Sequence, residues 1–244
     1  MTFAPARPRG DPSERRPIWP LLVAVAVLTA ALTAAALYQL DAFGGSSSPG
    51  TRGSGKPATQ VRDVGAFASV ELSGSNNVVI HSGKQQSVIV RADDNLIEFV
   101  TTEVQSGRLV IGNEGANYTT RAPMSVEVSV PGLSALTLSG SGNIVVDGID
   151  GDSTTVSLPG SGNITASGVT QRLDVTISGS GSAQLRGLKA NDVRAIVSGV
   201  GNIQVIATHS LDALVSGTGA INYGGNPTQV AKSVTGTGAI TAGQ

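Results

Sequence analysis

LSGSGNI (138–144) returns as LPGSGNI (158–164), ISGSGSA (177–183), VSGVGNI (197–203), VSGTGAI (215–221) and VTGTGAI (234–240). The second glycines, Gly142, Gly162, Gly181, Gly201, Gly219 and Gly238, are 20, 19, 20, 18 and 19 residues apart. So regular a period is the mark of a solenoid, in which each unit buries its apolar side only by stacking on its neighbours.

The residues around each copy decide between helix and strand. Apolar side chains alternate before it (Leu173, Val175, Ile177; Val193, Ala195, Val197; Leu211, Ala213, Val215) and after it (Ile144, Val146; Ile164, Ala166; Ile203, Val205). A period of two is the strand signature. The expected fold is therefore all-β: a single-stranded parallel β-helix of about 19 residues per coil, with strands about 4.8 Å apart from coil to coil. Ile144, Ile164, Ala183, Ile203, Ile221 and Ile240 form one inward ladder. Leu138, Leu158, Ile177, Val197, Val215 and Val234 form another. DGIDGD (147–152) is expected to supply a further turn that closes a coil. The handedness of the coil stays open.

The bend glycines are Gly140 and Gly142, Gly160 and Gly162, Gly179 and Gly181, Gly199 and Gly201, Gly217 and Gly219, and Gly236 and Gly238. A sharp bend repeated in every coil is expected to need a positive φ at one residue and to bring backbones close together. Asn143, Asn163 and Asn202 stack on one side of the bend as a buried or half-buried structural asparagine ladder, with Asn77 in a related place. A ligand-binding asparagine row is the alternative.

Residues 61–130 read as an N-terminal capping part and 131–244 as the regular coils. Strands are expected at Val70–Leu72, Val78–Ile80, Val88–Val90, Leu109–Ile111 and Val126–Val130. LSGSNNVVI (72–80) is a degenerate copy of the motif, and Gln105–Arg108 reads as a hairpin turn. The last copy ends beside Gln244 with no cap after it, which leaves an open parallel edge.

Ahead of this head, residues 1–17 carry Arg7, Arg9, Arg15 and Arg16, and Ile18 to Leu40 carry no charge. That is long enough for a single transmembrane helix over 18–40, with Trp19 and Tyr38 at its ends. The arginines place 1–17 in the cytoplasm and the head outside. A cleaved signal peptide is the rival and predicts the same compartment. Residues 41–60, rich in Gly, Ser and Pro, read as a flexible linker.

Composition excludes several functions. The absence of cysteine removes disulfides, thiolate metal sites and cysteine nucleophiles. A net charge of -1 argues against nucleic acid as a partner. Two histidines and 3% aromatic residues leave little for a catalytic constellation or an aromatic sugar cleft. Asp147, Asp150 and Asp152 are the one dense acidic group; a solvated turn is the reading, a calcium loop the alternative. Asp93 and Asp94 read as turn residues, and His81 and His209 as isolated side chains. Neither catalytic nor metal residues are assigned, and no cofactor is expected. Gly140–Ser141–Gly142 recurs in every coil, so it is a bend and not a nucleophile elbow.

VRDVGAFASVELSGSNNVVI (61–80), VIVRADDNLIEFVTTEVQSGRLVI (88–111) and SVEVSVPGLSALTLSGSGNI (125–144), followed by the GSGN copies, resemble the head GIN domain family, labelled as a putative auto-transporter adhesin head domain of unknown function. The resemblance covers roughly 61–244. It implies an exported bacterial β-helix with no established enzymatic activity, and it carries no binding residues with it. An apolar N-terminal segment instead of a translocator barrel suits a cytoplasmic-membrane protein of a bacterium. Three functions follow as expectations: an adhesin-like envelope module meeting a protein or glycan partner, a polysaccharide-active β-helix enzyme, or an element that self-associates through its C-terminal edge.

Overall fold

The computed structural model describes residues 50–243 other than Ala116. Expectations for 1–17, for the span 18–40 and for 41–49 lie outside the described residues. Among the described residues no helix is long and apolar enough to cross a membrane. Pro49–Gln244 forms one compact unit.

Its described residues are all-β apart from one short 3-10 turn at Ile97–Phe99. Its strands are β1 (Thr51–Arg52), β2 (Pro57–Arg62), β3 (Ser69–Leu72), β4 (Asn77–Ser82), β5 (Ser87–Asp93), β6 (Val100–Gln105), β7 (Arg108–Asn113), β8 (Tyr118–Thr119), β9 (Ser125–Val130) and β10 (Ala135–Leu138). The long strands β11 (Asn143–Leu158), β12 (Asn163–Ile177), β13 (Ser182–Val197) and β14 (Asn202–Val215) follow, then β15 (Ala220–Gly224), β16 (Gln229–Val234) and β17 (Ala239–Ala242).

Stacking is parallel and in the expected register. Asn143 pairs with Asn163, Ile144 with Ile164 and Val156 with Val175. Ile164 pairs with Ala183, Ala183 with Ile203, Ile203 with Ile221 and Ile221 with Ile240. The second ladder runs through Leu138, Leu158, Ile177, Val197 and Val215, all fully buried, to Val234. Small aliphatics fill this narrow core. Burying each one contributes about 1.5–3 kcal/mol when fully removed from water.

DGIDGD does not form a separate turn. The chain stays paired through it as one bulged strand, with the register shift between Val146 and Ile149. Gly148 takes the left-handed conformation (φ 72) and Ile149 turns into the core.

The N-terminal part is more than a cap. β3 and β4 are a true coil: Leu72 pairs with Leu138 and Asn77 with Asn143. β7 and β9 form another, with Leu72 on Ile111 and Val78 on Val126. Order along the axis differs from order in sequence. The 69–82 coil lies between the later 108–130 coil and the coil begun by β10. Pro131–Ser134 carries the chain across, held by Ser134 N–H donating to the Ala68 carbonyl (2.8 Å). Capping is done by antiparallel strands: β6 on β7, β5 on β9, and β2 on β5.

The expected linker 41–60 is shorter in its described part. β1 pairs with β8, and β2 pairs with β5, so residues from Thr51 onward belong to the folded head. Gly and Ser composition concealed them.

Candidate functional site

Each bend lets one coil rest directly on the next. Ser161 N–H donates to the Gly140 carbonyl (3.0 Å) and Asn163 N–H to that of Gly142 (3.3 Å). The same two bonds recur at Ser180 and Ser182, Val200 and Asn202, Thr218 and Ala220, and Thr237 and Ala239. A Cβ on Gly162 would fall on the Gly142 carbonyl oxygen, and one on Gly160 on that of Gly140. The relation repeats up to Gly236 and Gly238. None of these bend glycines has a positive φ. Of the two expected reasons the positive φ is absent and the close approach remains: the backbones lie too near for a side chain.

The asparagine ladder is exposed, not buried. Asn163 Nδ2 donates to Asn143 Oδ1 (3.0 Å), and Asn143 Nδ2 to Asn77 Oδ1 (2.9 Å). It stops there, because Asn202 stands between Ser182 and Ala220.

At the bottom of the glycine stack the rule changes. Asn76 occupies the place of Gly142, and it is 2% exposed. It fits because the coil beneath has no tight bend. From Leu72 to Asn77 the chain takes five steps; from Ile111 to Ser125, in the coil below, it takes fourteen. Asn76 and Asn113 bond reciprocally, Nδ2 to Oδ1 at 3.1 and 3.2 Å. The added residues carry β8, which β1 secures: Thr51 N–H donates to the Asn117 carbonyl (2.8 Å) and Gly53 N–H to that of Thr119 (2.7 Å).

This enlarged corner holds two open grooves. One, of about 510 Å³, is lined by Ser75, Asn76, Asn77, Tyr118, Thr119, Thr120, Pro123 and Met124. The other, of about 450 Å³, is lined by Ser73, Gly74, Ser75, Asn113, Gly115, Asn117 and Tyr118. They share Ser75 and Tyr118. The half-buried Tyr118 ring stacks on Phe99 (centroids 6.2 Å apart, planes 8° apart). Burial raises the pKa of its hydroxyl, keeping it protonated. Sequence reasoning missed this corner. Its signal was the extra length between Ile111 and Ser125.

Asp93 is a buried anchor and not a turn residue. It is fully buried and accepts backbone N–H bonds from Gly55 (2.6 Å), Arg121 (2.9 Å) and Ala122 (3.1 Å). The Arg121 N–H, with those of Ala122 and Gly55, holds its carboxyl below the ordinary value against the opposing push of burial.

Some of the other titratable groups pair between neighbouring strands. His81 Nδ1 lies 2.9 Å from Asp147, its partner in the next coil, so it is not isolated. Glu127 bonds Arg91 (2.6 Å) and lies 3.8 Å from His81. Asp150 and Asp152 are exposed on β11. Among the described residues no three His, Cys, Asp or Glu side chains are placed to hold a metal ion. The exposed His209 contributes its backbone carbonyl to Thr228 (3.2 Å).

A family model described as "Putative auto-transporter adhesin, head GIN domain" matches residues 66–227. No curated protein matches the chain. Among solved structures, a "putative adhesin" of Bacteroides fragilis is 24% identical, with a TM-score of 0.66 over 79% of this chain and 100% of its own. A "putative lipid binding protein" of Parabacteroides distasonis is 22% identical (TM-score 0.51, 79% and 99% covered). A "putative adhesin" of Parabacteroides merdae is 19% identical (TM-score 0.51, 80% and 99% covered). At these identities the likeness establishes a shared fold.

Proposed function

The chain belongs to the family described as putative auto-transporter adhesin, head GIN domain, and from that membership we propose that it is a non-enzymatic, adhesin-like head held outside a bacterial cytoplasmic membrane. Residues 18–40 anchor it as a single-pass helix with residues 1–17 in the cytoplasm. The observation that carries this reading is the order of parts along the chain: basic start, uncharged apolar stretch, Gly/Ser/Pro stretch, then a stiff stacked head. A stacked backbone suits presentation of a surface, because each bend is hydrogen-bonded to the coil beneath. The partner is an envelope protein or glycan.

Labelling intact cells with a membrane-impermeant reagent, followed by fractionation and N-terminal sequencing, tests the reading. The expected result is a labelled head in the membrane fraction with its N-terminus intact. A head that stays protected inside intact cells and fractionates with the cytosol refutes it. A trimmed, released head replaces the anchor with a signal peptide and leaves the compartment unchanged.

Self-assembly through the C-terminal edge is a second reading. Val230 and Val234 favour it, at 42% and 45% exposed on the last coil. Lys232 opposes it. It stands in the column Leu136–Val156–Val175–Ala195–Ala213, fully apolar until that point. An inward-facing lysine on an edge strand is a device against strand addition.

A further inference from the structure

We infer that the enlarged corner around Tyr118 is a binding site for a neutral glycan chain. The inference rests on the binding-head reading for its biology, and on the two grooves alone for its chemistry. Among the described residues no carboxylate, ammonium, guanidinium or imidazole lines either groove. The walls are hydroxyls and carboxamides, from Ser73, Ser75, Asn77, Asn117, Thr119 and Thr120. Hydroxyls and carboxamides both donate and accept hydrogen bonds. A sugar ring presents hydroxyls that do the same, whereas an anionic or cationic ligand would meet no counter-charge here. The volumes fall within the roughly 300–1,000 Å³ of small-ligand sites. The polar lining selects a hydrophilic occupant over a lipid tail.

Tyr118 supplies the remaining element. Its ring is an apolar platform carrying a protonated hydroxyl, the combination that suits a ligand with both C–H and O–H faces. The ring is not free to swing, because it stacks on Phe99 and its backbone pairs with Thr51. The floor is equally fixed by the reciprocal Asn76–Asn113 amide pair. A preorganised site of this kind loses little freedom on binding.

The two grooves lie side by side, with Ser75 and Tyr118 lining both. Above Ser75 and Asn77 stand exposed, uncharged bend residues of the next coils, Ser141 and Asn143, then Ser161 and Asn163. The corner is also where the chain abandons its own repeat rule, exchanging a bend glycine for Asn76 and a tight bend for β8. Such departures from local consistency concentrate at functional sites.

The test uses the purified full chain and four probes: maltohexaose, cellohexaose and mannohexaose as neutral chains, and hexagalacturonate as an anionic one. Binding is read by saturation-transfer NMR and titration calorimetry. At least one neutral hexasaccharide is expected to bind, and hexagalacturonate is not. Tyr118→Ala is expected to weaken binding by about tenfold or more. Ser75→Glu places a charge in the wall common to both grooves and is expected to do the same with no change in melting temperature. It decides the matter if Tyr118→Ala fails to fold. The inference is overturned if no neutral probe binds at millimolar concentration, if hexagalacturonate binds more tightly, or if Ser75→Glu binds like the parent. Cell labelling keeps the two failures apart. An external head that binds no sugar refutes the glycan site alone. A head that binds sugar yet lies in the cytoplasm refutes the adhesin-like reading alone.

Discussion

Replacing Gly162 with alanine separates two reasons for a glycine. Its backbone has an ordinary φ, so alanine carries no conformational penalty there. Its added Cβ, however, would land on the Gly142 carbonyl oxygen and come within 2.9 Å of Leu138 Cδ2. Relief requires the two coils to part locally. That weakens the bonds from Ser161 to Gly140 and from Asn163 to Gly142. Overpacking by one methyl costs about 1–3 kcal/mol, and each weakened backbone bond costs about 1 kcal/mol. The sum is about 3–5 kcal/mol, which for a domain of this size lowers the melting temperature by about 6–20 °C. Two controls accompany it. A Cβ at Gly151 meets nothing within 4 Å, and its φ is ordinary, so Gly151→Ala is expected to change stability by less than about 0.5 kcal/mol. Gly107 also faces open space but has φ +76, so Gly107→Ala is expected to cost about 1–2 kcal/mol through conformation alone. Urea denaturation and thermal melts followed by circular dichroism measure all three. If Gly162→Ala melts within 3 °C of Gly151→Ala, the close-approach account of the bends is wrong.

Asp93 gives a pH signature. Its folded pKa lies below the unfolded value of about 3.9, so its stabilisation is complete above that value and is lost as pH falls through the folded one. Asp93→Asn is expected to melt below the parent at pH 7, with the gap closing under about pH 4; a gap that does not change with pH refutes the assignment. At the other end, Lys232→Val makes the last coil's inward column wholly apolar. Sedimentation velocity is expected to show concentration-dependent association of this variant and none for the parent, and a variant as monomeric as the parent removes Lys232 from its edge role. Asn143→Ala breaks the amide ladder in the middle, but the ladder is exposed. The expected loss is no more than about 1 kcal/mol in a urea titration, and a loss several times larger would mean the ladder carries the bend.

The regular coils were legible because every copy meets the same neighbour above and below. One sequence constraint, such as Ile144 over Val78 and under Ile164, is then written out in each repeat. The N-terminal part lacks that redundancy. LSGSNNVVI announces itself as a copy, yet nothing local says that β10 will settle on Leu72 instead of Ile111. In the fold β7 is paired on both edges, with β3 and β6, and β9 with β4 and β5, and no local signal announces those pairings. Asp93 was misread for a related reason. Its neighbours in sequence, Asp94 and Asn95, look like a turn, while its hydrogen-bond donors lie 28 to 38 residues away. The bend glycines show a different limit. Spacing locates a glycine but cannot distinguish an unusual φ from a carbonyl 18 to 20 residues earlier in the chain. The groove was hidden because its chemistry is dilute: single Ser, Asn, Thr and Tyr residues with no charged or metal-binding pattern. It became visible through geometry, where a coil with nine more steps between Ile111 and Ser125 than its neighbour has between Leu72 and Asn77 must put the excess somewhere. In a solenoid, extra length leaves the stack at a bend. A long coil in an otherwise regular repeat therefore locates a candidate surface site before any side chain is considered.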